Sequence, residues 1–140
     1  MGSEMCIRDR PAAVWQDAQP LLRNPIMKIV RVRQKQRPEQ AHLLAGETAL
    51  AEQTMLADTG IPTYAMAHKN WREAGQGVEI IPHDDDGLCR IELWRYEPAN
   101  LTDGPYVDPL SLILSLRDNE DERVNQSLKE LMESLPWHVA

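Results

Sequence analysis

The sequence predicts a single α/β domain of the α+β kind: a mixed sheet of about four to five strands packed by helices and ending in two C-terminal helices. Three observations carry that prediction. Ile26–Arg33 and Leu88–Tyr96 alternate residue by residue, as strands with two unlike faces do. Leu43–Ala67 reads as a short helix that a glycine turns into a strand. Pro109–Leu116, followed by apolar residues spaced three and four apart, reads as a helix pair. At 140 residues with 42% hydrophobic content, the chain has the size and composition to bury one core.

In chain order, Met1–Arg10 is mixed and charged and lacks the apolar core of a secretory signal. MGSEMCIRDR resembles the read-through translation of sequencing-adapter DNA, so residues 1–10 are expected to be a non-native leader and the natural N-terminus to be missing. Pro11–Pro25 holds Trp15, Leu21 and Leu22 between three prolines and predicts a short helix or turn. Residues 11–38 therefore form a basic linker plus the first strand, Ile26–Arg33, and residues 39–140 the core domain. Gln34–Glu39 is a polar loop and Gln40–Ala45 a short strand.

Ala, Leu, Glu, Gln and Met fill a helix from Glu47 to Asp58, which Gly60 ends and Pro62 cannot continue. Leu50 and Leu56 should be largely buried on it. Ile61–Ala67 then reads as a strand and His68–Ala74 as a helix, packed by Trp71 and closed by Gly75 and Gly77. Val78–Pro82 is predicted as a strand joined to Leu88–Tyr96 by a hairpin turn at His83–Gly87, on the strength of Asp86-Gly87. Along Leu88–Tyr96 the alternation predicts Cys89, Ile91 and Leu93 inside, with Arg90, Glu92 and Trp94 toward water. After the loop Pro98–Pro105, Asp108 caps a helix whose first position suits Pro109. Apolar almost all round as far as Leu116, that helix should be central. Acids at Asp118–Glu122 open the last helix, whose stripe of Val124, Leu128, Leu131 and Leu135 runs to Pro136.

Charge divides the chain. Residues 1–38 carry net +5 and residues 39–140 net −12, which together give −7. Lys28, Arg31, Arg33, Lys35 and Arg37 are the candidate DNA-contacting residues, because the acidic body would repel phosphates. The plainer alternative is a strand with basic residues on its solvated face. Apolar runs fall far short of the roughly 20 residues needed to span a bilayer, so no membrane association is expected. Two cysteines, Cys6 and Cys89, fit a reduced, cytoplasmic chain.

No catalytic, metal-binding or cofactor site is expected. His42, His68, His83 and His138 are scattered without ligand spacing, and Asp84-Asp85-Asp86 reads as a solvated turn. Metal-dependent nucleases of the PD-(D/E)xK kind place an aspartate near a hairpin and a Glu-x-Lys on the next strand. Asp86 and Glu92 fit the carboxylates, but Trp94 stands where the lysine belongs, so a degenerate nuclease is the enzymatic alternative. Glu92 otherwise reads as an exposed cross-strand charge partner beside Arg90. Ser111 and Ser115 lack a neighbouring histidine and are expected to bond back to their own helix.

Ala45-Gly46-Glu47-Thr48-Ala49-Leu50, the helix end and Pro62–Ala67 resemble the helix-then-strand segment of AbiEi-type antitoxins, the repressors of type IV toxin–antitoxin systems. Tyr106–Leu114, leading into an amphipathic helix, is similar to that family's C-terminal helix pair. The resemblance covers about residues 40–135. It implies the C-terminal scaffold of a non-enzymatic transcriptional regulator that binds DNA or counters a nucleotidyltransferase-type toxin. The family's upstream winged helix needs roughly 60 residues, and only 38 precede the matching region. Either that half was lost with the N-terminus or the chain is a stand-alone relative. A plain protein-interaction module using Leu110–Leu116 as its interface is the third alternative.

Overall fold

Leu88–Trp94 is buried at every position except Arg90, and its neighbours on both sides explain why. In the computed structural model, which describes residues 23–54, 56–57 and 60–135, this strand is interior to a four-stranded mixed sheet. The elements run β1 (Ile26–Arg33), β2 (Leu43–Leu44), α1 (Gly46–Gln53), β3 (Thr63–Ala67), α2 (His68–Ala74), β4 (Leu88–Trp94), α3 (Pro109–Leu116) and α4 (Glu122–Ser134). Sheet order is β1-β4-β3-β2. β4 pairs antiparallel with β1 and parallel with β3, and β2 pairs antiparallel with β3. The protein is thus one α+β domain with two C-terminal helices.

Helices cover both faces of the sheet. On one, Ala65 and Trp94 join Leu50 of α1, Leu112 and Ile113 of α3, and Val124, Leu128 and Leu131 of α4. On the other, Val30, Val32, Met66, Cys89, Ile91 and Leu93 receive Trp71 and Ala74 of α2. Parallel pairing of β3 with β4 requires a crossover, and α2 lies in that connection.

Local signals place most boundaries. Asp108 accepts a hydrogen bond from the Ser111 amide at 2.9 Å and Pro109 opens α3. Asp121 caps α4 through the Arg123 amide at 2.9 Å. α1 is shorter than Glu47–Asp58: it ends at Gln53, where the Thr54 hydroxyl donates to the Leu50 carbonyl at 2.8 Å. Leu50 is wholly buried, whereas Leu56, beyond the helix end, is half-buried.

Several expectations need correction. Glu92 and Trp94 are 4% and 0% exposed rather than wetted, because α1, α3 and α4 cover their face. Val78–Pro82 is not a strand: it runs beside β1 with the Ile81 amide bonded to the Arg31 carbonyl at 2.7 Å. Since β4's antiparallel partner is β1, Asp85–Gly87 is a turn into β4 and not a hairpin between adjacent strands. Leu112, Ile113, Leu114 and Leu116 lie in the domain's own core, and Leu110 is the apolar residue of α3 left exposed. Ser115 does bond back to Leu112, but the Ser111 hydroxyl pairs with Tyr96 Oη at 2.6 Å. The leader Met1–Arg10, the expected helix or turn at residues 11–22, and His138 lie outside the described residues.

Leu50 is wholly buried where α1 meets α3 and α4, so truncating it opens a cavity in that core. Leu50→Ala should lower unfolding free energy by about 2–5 kcal/mol. Urea denaturation of the two proteins checks this; equal midpoints would show that α1 is peripheral.

Candidate functional site

Antiparallel register sets Arg31 of β1 directly opposite Arg90 of β4. Two like charges so placed repel. Asp84, in the loop that enters β4, resolves the conflict: its Oδ1 accepts from Arg31 Nε at 2.6 Å and from Arg90 Nε at 3.1 Å, and its Oδ2 from Arg90 Nη2 at 2.5 Å. Hydrogen bonds from Arg90, then from Arg31, hold the Asp84 carboxyl well below the usual carboxylate range.

Two residues further along the same face of β4 stands Glu92. Trp94 Nε1 donates to its Oε1 at 3.0 Å, while Oε2 has no hydrogen-bond partner among the described residues. Gly46, at the start of α1 with φ +57°, makes room for it: a Cβ there would lie 3.1 Å from Oε2 and 3.2 Å from Thr63 Cγ2. Burial pushes the Glu92 carboxyl up to about 7, against the opposing pull of the Trp94 hydrogen bond and the Arg90 charge.

Glu92 forms part of the wall of a cleft of about 300 Å³ that also meets Arg31, Arg90, Glu47 and Thr63. Ile26 and Ile29 of β1 and Leu116 of α3 give it an apolar side. Within it, a carboxylate lacking a full set of donors stands near two guanidinium groups that a third acid already ties. Such an arrangement can hold a polar ligand or take up a proton; a nucleophile with an adjacent base is not among its lining residues.

The predicted DNA-contacting residues do not form one patch. Alternation puts Lys28 on the Val30 and Val32 face of β1, and Arg31 and Arg33 on the other. Arg31 is held by Asp84 and Arg33 by Glu79, the latter at 2.5 Å. Arg37 donates to the Ala41 carbonyl and stacks 4.2 Å above the Tyr64 ring. Lys28 and Lys35 are exposed and make no ion pair among the described residues.

Asp86 and Glu92 are not brought together. Asp86 lines a separate, open cleft of about 710 Å³ beside Arg33, Lys35 and His83. Among the described residues no group of three His, Cys, Asp or Glu is placed to hold a metal ion. His42, His68 and His83 are exposed, and Cys89 is a buried thiol that desolvation pushes up to about 11. No helix among the described residues is long and apolar enough to cross a membrane. Glu47, Thr63 and Gly46 gave no functional signal in sequence, since a helix-start acid, a strand threonine and a glycine are each commonplace. Comparisons with protein-family models, curated proteins and solved structures find no match to this chain.

A carboxyl raised in the fold makes stability depend on pH with a definite sign. Below about 4.5, where Glu92 is protonated folded and unfolded, its burial costs least; the advantage is lost as pH rises to about 7. The loss should amount to about 3 kcal/mol. Urea melts at pH 5 and pH 8 should show wild type losing more stability across the interval than Glu92→Gln. Parallel losses would refute the burial account.

Proposed function

We propose that this chain is a non-enzymatic binding domain, the body of an antitoxin-like transcriptional regulator of the AbiEi type, acting in the bacterial cytoplasm. DNA is met at β1 and the turn after it, and a nucleotidyltransferase-type toxin is its protein counterpart. The observation that carries this reading is the exposed, ion-pair-free state of Lys28 and Lys35 at the basic edge of an otherwise acidic domain. Arg31, Arg33 and Arg37 have internal partners, so the lysines are the groups free to meet phosphate.

What supports the non-enzymatic side is the separation of Asp86 from Glu92 in two clefts, with a buried Trp94 where a nuclease would need lysine. The run from β2 through α1 to β3, and the Asp108-capped α3 leading into α4, keep the order of parts on which the family resemblance rests.

β1 pairs along β4, so deleting residues 1–38 would break the sheet and could not isolate a binding role. Lys28→Gln with Lys35→Gln leaves the pairing intact. In electrophoretic shift assays on the DNA upstream of its own gene, the double variant should bind at least about tenfold more weakly at low salt. The slope of log affinity against log salt should fall by about 2. An unchanged slope in a variant with a native circular dichroism spectrum would remove β1 from the DNA contact.

A further inference from the structure

We infer that the outer edge of β1 at Ile29 is a docking site for an extended acidic–aliphatic segment of a partner protein, which joins the four-stranded sheet as a further strand. The inference is independent of the DNA reading, since it rests on backbone groups and apolar side chains.

The pairing pattern shows which way the backbone of β1 faces. The Arg90 amide donates to the Pro62 carbonyl on the β3 side at 2.9 Å, and the Arg31 carbonyl opposite accepts from the Ile81 amide on the outer side at 2.7 Å. Arg31 and Arg90 are therefore a pair that exchanges no bonds, and antiparallel alternation makes Ile29 and Glu92 the next such pair. The Ile29 N–H and C=O thus point away from β4. Among the described residues no backbone group outside the sheet pairs with them. The segment that covers β1 at Arg31 bends at Pro82 and His83 and brings Asp84 onto the Arg31 and Arg90 side chains, so its pairing stops short of Ile29.

Apolar side chains flank this open backbone. Met27 is 49% and Ile29 42% exposed, and Ile80, on the segment beside Arg31, is 49% exposed. An uncovered edge with apolar flanks is a template for an incoming strand.

Charge selects the occupant. Lys28 is exposed and makes no ion pair among the described residues. Arg31 and Arg90 share the one carboxylate of Asp84, which leaves that trio net positive, while Arg33 is matched by Glu79. Behind Ile29, burial disfavours the charged form of Glu92, and in the cleft Glu47 of α1 is offset by Arg123 of α4. The edge is cationic, so it attracts an acidic strand and repels a basic one. A second copy of β1 fits poorly, because it brings its own Lys28. A lysine together with a bulge, here between Ile26 and Lys28, is a usual means by which sheet edges avoid pairing with themselves. A partner strand with an aliphatic residue beside Ile29 and an acid beside Lys28 meets both requirements.

Hydrogen exchange of the full chain, followed by NMR with and without a capped hexapeptide of alternating glutamate and isoleucine, reads the edge amide by amide. Saturating peptide should slow exchange at Ile29 by at least about tenfold and leave Val30, whose amide faces β4, unchanged. The same peptide with lysine for glutamate should bind at least about tenfold more weakly, and Lys28→Glu should narrow that gap. An added strand uses the amides of one edge only. Of two peptides N-methylated at the isoleucines or at the glutamates, one should therefore lose at least about tenfold in affinity and the other keep it. Absence of binding at millimolar peptide, equal binding of the two N-methylated peptides, or equal binding of the acidic and basic peptides overturns the inference. So does an Ile29 amide already protected in the free chain, since a second copy or the chain's own segment then holds the edge.

Discussion

The constraint on which this fold depends is that β4 must be dry on both faces. It lies between β1 and β3 and contributes Cys89, Ile91 and Leu93 to one core and Trp94 to the other. An interior strand with apolar side chains above and below needs helices on both sides. The two C-terminal helices and α1 supply one layer, and the crossover helix α2 the other. Loss of the α3–α4 layer would expose a tryptophan and a carboxylate together, so the C-terminal third is part of the sheet's stability and not an appendage.

Dryness also fixes the electrostatics. Coulomb interactions strengthen where water is excluded, and so does the penalty for leaving one incomplete. At the half-exposed end of the cleft, Asp84 meets two arginines and stays ionised. At the dry end, Glu92 has one indole donor and no hydrogen bond from Arg90, and burial disfavours its charged form. Two acids less than ten residues apart in sequence thus titrate in opposite directions because one sits in a loop against arginines and the other on a covered strand.

Much of the architecture was legible in the residues, and the exceptions share a cause. Asp108-Pro109 announced α3 by local chemistry, Gly75 closed α2, and the spacing of Val124, Leu128 and Leu131 fixed α4's inward face. Each of those signals acts within a few residues. Glu92 was read as outward because polar residues on an alternating strand usually are, and what buries it comes from α1 and α3, distant in sequence. Val78–Pro82 had strand composition, but β1 had already taken the place beside β4. The basic cluster was visible as composition, whereas Asp84 and Glu79, which claim Arg31 and Arg33, lie 53 and 46 residues away. The close approach of α1 to Glu92 and Thr63 rests on Gly46, whose contribution is the absence of a side chain.

The hydrogen bond from Trp94 to Glu92 has an optical consequence. An indole whose N–H faces a carboxyl senses that group's ionisation through its excited-state dipole, and burial shields it from quenching by solvent. Trp94, one of four tryptophans in the chain, is therefore an internal fluorophore whose emission depends on the Glu92 carboxyl, a contribution superposed on that of the other three.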